Sequence, residues 1–431
     1  MQIMKPTFRV TIEKLIFGGQ GLARLEDGRV AFVWNALPGE EVDIEIIKKK
    51  DDYVEAIAKN IIKRAEERVE PEEESFLSTS PWQILDPEKE DHWKKEIAME
   101  TYNKIGDVSL QADDINIVSD DRKYGYRNKM GFSFTEKEDG TISLAFFKRR
   151  SKDKFPVDGS VLASKEINDV AKDILAWIHE KQIPLRSLKS LIIRSNMAGE
   201  VIAGLFIKDK LPFSDYPELT NTLKGFTLYY STHKSPASVP TKLLYSNGVE
   251  ELTEDILGVT AHYGLFSFFQ INQPLFNLAL KDIAAFVDPQ IPLVDYYSGV
   301  GSIGLPLSQN GRNCVCIDSD KEAIAFAKKN IAENNLDACE AHCAPAEQLT
   351  KYIDKDHMII VDPPRAGLHK DMIKTLLMRQ PPRIIYLSCN LSTQARDMRM
   401  LSEVYRPVFF KLYNFFPRTP HIEGLIVLEK V

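Results

Sequence analysis

The last third of the chain alternates short apolar strand patterns with helical segments, and this alternation constrains the fold more than any other feature. The strand patterns read LVDYY, CVCID, HMIIVD and RIIYLS, and one intervening helix is predicted over Lys321 to Asn335. Alternation of this kind is typical of a parallel, doubly wound α/β sheet. Ligands of such sheets bind at the carboxyl ends of the strands. Because the unusual polar residues follow these strands, we expect the functional site at that edge.

A glycine turn follows the first of these strands. Gly299, Gly301 and Gly304 have the spacing Gly-x-Gly-x2-Gly and open a predicted helix, so backbone N–H groups are available to a ligand. Such a turn can also serve helix–sheet packing alone. Asp318 favours the ligand interpretation, because it ends the next strand, where a carboxylate can accept from both hydroxyls of a ribose. These residues fit a nicotinamide dinucleotide or S-adenosylmethionine.

Two further strand ends carry groups with chemical potential. Asp362-Pro363-Pro364-Arg365 sets a carboxylate beside a backbone fixed by prolines, which suits the reading of a planar base and is equally ordinary turn chemistry. Cys389 ends an apolar run and either fills the core or acts as a nucleophile. The 5 cysteines are odd in number and lack C-x2-C pairs, which argues against a disulfide framework or a zinc site.

The first two thirds of the chain divide into two other units. Residues 1 to 62 alternate polar and apolar residues between glycine-rich and Pro-Gly turns, which predicts a small five-stranded β-barrel. Barrels of this size often hold oligonucleotides. A charged linker follows, and residues 75 to 280 mix strand patterns with a helix, which predicts an α+β domain. The doubly wound domain is then expected over residues 281 to 431.

Charge and hydropathy limit the partners. The net charge of −7 argues against a protein that coats nucleic acid non-specifically, although basic clusters at 48–50 and 148–154 are either solvated faces or RNA contacts. No apolar run approaches the roughly 20 residues that span a bilayer, and the start has no signal-peptide pattern. We therefore expect a cytoplasmic monomer without a membrane partner.

Six motifs together indicate a family. They are Tyr126-Arg127-Asn128-Lys129, Phe268-Phe269-Gln270-Ile271-Asn272, Asp295-x2-Ser298-Gly299-Val300-Gly301, Asp362-Pro363-Pro364-Arg365, Ser388-Cys389-Asn390 and His421-Ile422-Glu423. With these motifs the sequence resembles the RNA uracil-5-methyltransferases, S-adenosylmethionine-dependent enzymes that make 5-methyluridine. The resemblance covers nearly the whole chain, and residues 1 to 62 resemble the RNA-binding TRAM domain. It implies a Rossmann-like methyltransferase domain, a TRAM barrel and a central α+β RNA-binding domain.

The resemblance also implies roles by position. Cys389 matches the nucleophile, and Glu423 matches the base that removes the C5 proton. The positions that contact the methyl donor are matched by Gln270, Tyr297, Asp318 and Asp362. Asp362 is also expected near the target base. Only the motif separates Glu423 from Glu429, a second carboxylate in the same terminal strand.

The chemistry of uracil agrees with these assignments. Its C5 atom is a poor nucleophile, so a thiolate must first add to C6 and convert the ring to an enolate. An adjacent donor, such as the Asn390 side chain or a helix N-terminus, would favour the thiolate. After methyl transfer, a carboxylate must remove the C5 proton. The base must be unpaired or flipped out, and Phe268 or Phe269 either stacks on the RNA or fills the core.

The chain departs from the family pattern just after the barrel. Many members with this barrel bind an iron–sulfur cluster there, whereas this chain has no cysteine before Cys314. Four thiolates are the usual requirement, so we predict neither a cluster nor another metal. The packing of Trp82 and Trp93 is expected to take over the structural role of the cluster.

Two other departures concern single residues. Pro345 stands where related enzymes usually have an aspartate that contacts the adenine amine, and proline has neither an acceptor side chain nor a backbone donor. Backbone carbonyls or Glu347 are the available substitutes. Asn414-Phe415 replaces the usual Asp-Met, a change for which the sequence offers no consequence.

The main functional prediction is C5 methylation of a uridine in structured RNA. The substrate expected first is 23S ribosomal RNA, because the barrel accompanies mainly the rRNA members, and transfer RNA is the second candidate. An amino-group methyltransferase also uses an Asp-Pro-Pro strand end but needs no thiol. A catalytically silent RNA-binding protein is the alternative from a different class.

Overall fold

The computed structural model describes residues 7–236 and 238–431. Residues 1–6, which the sequence assigned to the barrel and to a start without a signal peptide, lie outside the described residues, as does Ala237 of the predicted central domain. The helices of the described chain are α1 (Phe76–Thr79), α2 (Pro87–Gly106), α3 (Lys165–Glu180), α4 (Gln273–Ala284), α5 (Lys321–Glu333), α6 (Lys370–Arg379) and α7 (Leu391–Leu401).

The N-terminal unit is a six-stranded sheet. Its strands are β1 (Thr7–Thr11), β2 (Lys14–Leu15), β3 (Gly21–Arg24), β4 (Val30–Trp34), β5 (Glu41–Lys49) and β6 (Tyr53–Lys63), in the order β1-β5-β6-β4-β3-β2. The strands predicted from alternating apolar residues are confirmed here, because Val42, Ile44 and Val54 belong to one core. The prediction of five strands is wrong by one, because β2 has two residues and is too short to show a period.

The central unit is a seven-stranded sheet covered by α3. Its strands are β8 (Lys129–Glu136), β9 (Ile142–Phe147), β10 (Lys154–Val157), β11 (Leu188–Ser195), β12 (Val201–Ile207), β13 (Leu223–Tyr230) and β14 (Lys242–Gly248), in the order β10-β9-β8-β11-β12-β13-β14. Only β12 and β13 pair in parallel. A hairpin of β15 (Glu251–Ile256) and β16 (Val259–Gly264) follows, and its apolar face packs on the C-terminal domain.

The C-terminal domain is built on an eight-stranded sheet. Its strands are β7 (Asn116–Val118), β17 (Leu293–Tyr296), β18 (Cys314–Asp318), β19 (Cys339–Cys343), β20 (Met358–Val361), β21 (Arg383–Ser388), β22 (Tyr405–Tyr413) and β23 (Glu423–Lys430), in the order β19-β18-β17-β20-β21-β23-β22-β7. The five strands from β19 to β21 in this order are parallel, while β23 is antiparallel to both of its neighbours, β21 and β22. The predicted doubly wound sheet is therefore confirmed. Strand order reverses at β17, whose neighbours are β18 and β20, so the ligand crevice lies beside the carboxyl end of β17.

Helices cover both faces of this sheet. α4 and α5 pack on one face, where Phe276 and Ala327 join the core that contains Leu387 and Leu425. The opposite face is covered by α2, α6 and α7. Among the described residues, none of the helices combines the length and the apolar character needed to cross a membrane.

The segment before the central sheet packs with the C-terminal domain. α2 lies against the same face as α6 and α7, and β7 pairs in parallel with β22 at the edge of the eight-stranded sheet. The predicted division at residue 75 does not capture this packing, because α2 and β7 precede their partners by almost 300 residues and the local pattern carries no trace of that contact.

The helix expected after the glycine turn is a set of turns that ends in a 3-10 helix over Pro306–Ser308. Proline lacks the N–H that an α-helix would need at this point, and its ring would clash with the carbonyl of the residue four positions earlier. The glycine turn thus leads into a short, tight segment instead of a regular helix.

A buried charge cluster ties α2 to the loop that precedes β23. Glu90 forms two ion pairs: Lys94 Nζ lies 2.8 Å from its Oε1, and Arg418 Nη1 lies 3.1 Å from its Oε2. All three side chains are 1% exposed or less. Burial would raise the pKa of Glu90, but the two cations hold it below its usual range. Arg418 also donates to the carbonyl oxygens of Gln83 and Leu85, so this one loop is held from two sides.

Asn414 belongs to the same cluster, and its position explains one departure from the family pattern. Its Nδ2 donates to Glu90 Oε1 (3.1 Å) and Asp91 Oδ1 (3.0 Å), while its Oδ1 accepts from Lys94 Nζ (2.6 Å). An amide can donate and accept at once, whereas an aspartate here would face two other carboxylates.

Tryptophans fill the region after the barrel. Trp82 is 1% exposed, packs with Leu15 and Leu37 of the barrel, and donates from Nε1 to the carbonyl oxygen of Gly19 at 3.1 Å. Trp93 donates to Glu67 Oε2 at 2.7 Å. Both side chains thus take part in packing at this junction, as their residue types suggested.

We predict that Glu90→Gln lowers the free energy of unfolding by about 3 kcal/mol, because it leaves Lys94 and Arg418 buried without a carboxylate. Urea denaturation followed by tryptophan fluorescence measures this change. Glu96→Gln, on the exposed side of the same helix, is the control and should change the free energy by less than about 0.5 kcal/mol. Equal effects of the two substitutions would contradict the structural account.

Candidate active site

The thiol of Cys389 lies at the carboxyl end of β21 and is partly exposed. Asn390 follows as the N-cap of α7, and its side chain accepts from the N–H of Ser392. The helix N-terminus expected near the thiol is therefore present. The Nδ2 of the Asn390 side chain donates to the carbonyl oxygen of Arg365 at 2.8 Å.

Glu423 reaches the same place from the neighbouring strand. β23 runs antiparallel to β21, with Gly424 opposite Ser388, so Glu423 and Cys389 are the next residues of their strands beyond this pair. Side chains alternate along a strand, and Leu387 and Leu425 both face the α4–α5 side of the sheet. Two residues further on, Cys389 and Glu423 follow the same alternation.

Glu429 lies at the other end of the sheet. It is the register partner of Arg383, at the start of β21, and Arg383 Nε donates to Glu429 Oε1 at 3.1 Å. At about 3.3 Å per residue, six residues of strand separate this ion pair from Cys389 by about 20 Å. Of the two carboxylates that the sequence left open, only Glu423 lies near the thiol.

Acidic side chains lie near the thiol. Asp362 follows β20, and Gln270 Nε2 donates to its Oδ2 at 3.4 Å. Burial, together with the charge of Asp318, raises the pKa of Asp362 to about 7. Burial and the charge of Asp362 also raise the pKa of Glu423 well above its usual value, while Arg365 lowers it. The predicted residues Gln270, Asp318, Asp362, Cys389 and Glu423 are thus brought to one edge of the sheet.

Arg365 was quoted in a motif but was assigned no role, and the structure places it beside the thiol. Burial and the charges of Glu423 and Asp362 raise the pKa of Cys389 to about 11, and Arg365 opposes them through its charge and a hydrogen bond. Its Nη2 also lies 3.3 Å from Nε2 of His421. The sequence signal that could have revealed this role is an arginine in the motif after β20, the strand that neighbours the one ending at the candidate nucleophile.

His421 is the second residue that the sequence left without a role. Burial and nearby cations, first among them Arg365, together lower its pKa to about 3. The imidazole is therefore neutral at physiological pH and can accept a hydrogen bond from Arg365. His421 thus helps to set the position of the guanidinium beside the thiol.

The cofactor end of the crevice fits a ribose. Asp318 Oδ2 accepts from the backbone N–H of Gly299 at 2.9 Å, which fixes the carboxylate at the tip of β18. A Cβ added to Gly299 would have only the carbonyl oxygen of Phe268 within 4 Å, at 3.8 Å, so open space lies above this turn. Gly304 serves packing instead, because a Cβ there would lie 2.8 Å from Cys314 Sγ.

Tyr297 lies in a groove beside α6 and α7. It follows β17 with a φ of +64°, a conformation that a bulky residue adopts only under tertiary constraint. Its side chain lines this groove with Glu347 and His369, and burial raises its pKa to about 12. Glu347, considered as a substitute for the aspartate missing at Pro345, therefore lies beside Tyr297.

Phe268 and Phe269 have different environments. Phe269 is 2% exposed and stacks on Tyr263 with ring centroids 4.0 Å apart, so it fills the core. Phe268 is 64% exposed, and its backbone borders the open space above Gly299. Only Phe268 is available to a partner.

A doubly wound sheet with an acid, a thiol and further carboxyl groups at the carboxyl ends of its strands has the architecture of the Rossmann-like methyltransferases. Within the part of the chain that the structure describes, no group of three or more histidine, cysteine or acidic residues could hold a metal ion.

Comparison with known proteins identifies the family. The model of the tRNA (uracil-5-)-methyltransferase family matches residues 94–431, and the TRAM domain matches residues 6–59. An uncharacterized RNA methyltransferase of Fusobacterium nucleatum is 29% identical over 98% of this chain and 95% of its own. One from Aquifex aeolicus is 28% identical, with 98% of each chain covered.

A solved structure agrees with these matches. The crystal structure of Pyrococcus abyssi tRNA (uracil-54, C5)-methyltransferase, in complex with S-adenosyl-L-homocysteine, superimposes with a TM-score of 0.78. The two sequences are 25% identical, and the superposition covers 97% of this chain and 100% of the Pyrococcus abyssi chain. The chain belongs to the tRNA (uracil-5-)-methyltransferase family and carries an N-terminal TRAM domain. It is an RNA methyltransferase whose methyl donor is S-adenosylmethionine.

Substitutions at Glu423 and Arg365 should move the pKa of Cys389 in opposite directions. Glu423→Gln removes a negative charge that raises this pKa, so the pKa should fall; Arg365→Gln removes a charge that lowers it, so the pKa should rise. The pH dependence of iodoacetamide alkylation, followed at Cys389 by mass spectrometry, measures both. The exposed Cys343 in the same samples is the control and should not respond. Shifts in the same direction would contradict the arrangement.

Proposed function

We propose that this enzyme methylates C5 of a uridine in structured RNA through a covalent bond between Cys389 and C6 of the base. One observation carries the proposal: the pairing of β21 with β23 brings a thiol and a buried carboxyl to the same end of the sheet. An amino-group methyltransferase, whose substrate attacks with a nitrogen lone pair, would require neither the thiol nor the carboxyl. The presence of both groups also argues against a catalytically silent RNA-binding protein.

The first step is nucleophilic addition by Cys389. Cys389 reacts as its thiolate, after the thiol proton has passed to solvent: the sulfur forms a bond to C6, and the electrons of the C5–C6 double bond move to an enolate on the ring. Arg365 contacts the thiol, and its positive charge favours both the thiolate and the enolate that replaces it. When bound, S-adenosylmethionine supplies an electrophilic methyl group for the enriched C5.

The last step needs a base. After methylation C5 carries a proton and a methyl group, and the carboxylate of Glu423 removes the proton. The C5–C6 double bond then forms again, and the bond from sulfur to C6 breaks to release the thiolate. Because burial and Asp362 raise the pKa of Glu423, its ionised form is a stronger base than an exposed carboxylate.

The remaining predicted residues are proposed to hold the methyl donor. Asp318, fixed by Gly299, is positioned for the ribose hydroxyls. Asp362 and Gln270 form one hydrogen-bonded unit between the ribose end and the thiol, so they suit the charged amino acid part of the donor and the adjacent base. Tyr297 would contact the methyl donor on the side where Glu347 lies.

The RNA must deliver an unpaired or flipped base, because C6 is inaccessible inside a helix. The backbone of Phe268 borders the crevice and its ring is exposed, so this ring is proposed to stack on a neighbouring base. The two basic clusters of the sequence meet at Glu55, which pairs with both Lys48 and Arg150. RNA is therefore proposed to cross the junction between the TRAM domain and the central sheet.

We propose 23S rRNA as the first substrate, as the sequence suggested, with transfer RNA as a specific second candidate. The Pyrococcus abyssi enzyme acts on uracil 54 of tRNA and is covered over its whole length, which includes the region of the TRAM domain. The barrel therefore does not by itself separate the two classes of RNA. A cytoplasmic location and a monomeric state stay predictions.

Two substitutions should separate addition from proton removal. Cys389→Ala should abolish both methylation and the covalent protein–RNA complex. Glu423→Gln should reduce turnover by about 100-fold or more and accumulate the covalent complex, because the methylated adduct keeps its C5 proton. A denaturing gel with labelled RNA and a methyl-incorporation assay measure both effects. Methylation of RNA by the Cys389→Ala variant would contradict the covalent mechanism and favour methylation of an amino group.

Product mapping should identify the RNA. In cells that lack this gene, we expect one or more 5-methyluridines to disappear from 23S rRNA, while position 54 of tRNA is unchanged. Liquid chromatography with mass spectrometry of the two purified RNA classes measures this loss, and restoring the gene with the Cys389→Ala variant is the control. A loss confined to tRNA would select the second candidate.

A further inference from the structure

The loop that carries Phe268 and Gln270 has no regular secondary structure, yet it is tightly held. It runs from Gly264, the last residue of β16, to the start of α4, and residues 265–272 form neither helix nor strand. The carbonyl oxygens of such a segment lack the partners that a sheet or helix would supply. Their partners come instead from the central seven-stranded sheet.

Arg194 of β11 supplies most of these bonds. Its Nη1 donates to the carbonyl oxygens of Gly264 (2.7 Å) and Ser267 (2.5 Å), and its Nη2 donates to that of Phe269 (3.5 Å). The guanidinium is fully buried, and its carbon lies 4.6 Å from the ring centre of Tyr263. A buried cation is costly unless its donors are satisfied, and here carbonyl oxygens accept from both terminal nitrogens, whereas Nε has no hydrogen-bond partner among the described residues.

Two residues of a sequence motif complete the arrangement. Asn128 Nδ2 donates to the carbonyl oxygen of Gln270 at 2.9 Å, and Lys129 Nζ donates to that of Phe266 at 3.4 Å. Both belong to Tyr126-Arg127-Asn128-Lys129, a motif to which no role has been assigned above. Three side chains, from β8, β11 and the residue before β8, therefore hold five carbonyl oxygens between Gly264 and Gln270.

The far end of this loop is the active site. Gln270, whose carbonyl is held by Asn128, donates from its side chain to Asp362. We infer that Asn128, Lys129 and Arg194 form a carbonyl clamp that positions Gln270 against Asp362, so that the central sheet takes part in catalysis as a positioning device. The inference rests on the proposed role of Gln270 and Asp362, and it makes these three side chains positioning residues.

A double-mutant cycle tests the clamp. Arg194→Lys keeps the charge but replaces a planar fork by a single ammonium group, which cannot hold three carbonyls in the same geometry. We expect it to lower kcat by about 30-fold in the wild-type background, because a displacement near 1 Å can cost about 100-fold. In the Gln270→Ala background the same substitution should lower kcat by less than about threefold, since the clamp then has no side chain to position.

The controls separate positioning from folding. Arg312→Lys is the matched control, because Arg312 also donates to a main-chain carbonyl, that of Leu307, but lies at the amino end of β18. It should leave kcat within about twofold of the wild type. If Arg194→Lys does not fold, Asn128→Ala removes only the bond to the Gln270 carbonyl and goes through the same cycle. Thermal unfolding is recorded for every variant.

The outcomes are distinguishable. If Gln270→Ala keeps the wild-type kcat, the proposed role of Gln270 is wrong and the clamp has nothing to act on. If Gln270→Ala is slow but Arg194→Lys lowers kcat by the same factor in both backgrounds, the role of Gln270 stands and the clamp inference is overturned. A loss of kcat that disappears in the Gln270→Ala background supports the clamp.

Discussion

The antiparallel pairing of β21 with β23 is the interaction on which the site depends. It sets Gly424 opposite Ser388, and a shift of one residue would turn Glu423 to the opposite face of the sheet. Both strands are buried, and apolar residues on both faces fix their register. The stability of the core thus determines whether the thiol and the carboxyl meet.

This register is supported by the loop between β22 and β23. Glu90, Lys94 and Arg418 form a fully buried cluster, and Tyr126 donates to the carbonyl oxygen of Pro417 at 3.0 Å. The barrel touches the same loop, since a Cβ on Gly19 would overlap Pro420. The barrel, α2 and the segment before β8 therefore all contact the loop that ends at Glu423. They thus help to place Glu423 from parts of the chain that precede it by about 300 residues or more.

The doubly wound sheet could be predicted from the sequence because its strands are short, apolar and separated by periodic helices, so each is visible locally. Cys389 and Asp318 stood out because they end such strands. The contribution of β7 to the sheet could not be predicted, because its partner β22 lies almost 300 residues away. The choice of Glu423 over Glu429 rested on the motif alone, because the register of β23, which brings Glu423 near the thiol, is not encoded in any local pattern. Arg194 is a lone charge in an apolar strand pattern, and only its contacts reveal what it holds.

The central claim is that the sulfur of Cys389 bonds to C6 of a uridine during the reaction. The most direct measurement is peptide mass spectrometry of the wild-type enzyme after reaction with S-adenosylmethionine and RNA that contains 5-fluorouridine, which blocks proton removal at C5. The account predicts a methylated fluorouridine nucleotide on the peptide that contains Cys389. Methylation of natural RNA by the same preparation, without any nucleotide on that peptide, would contradict it.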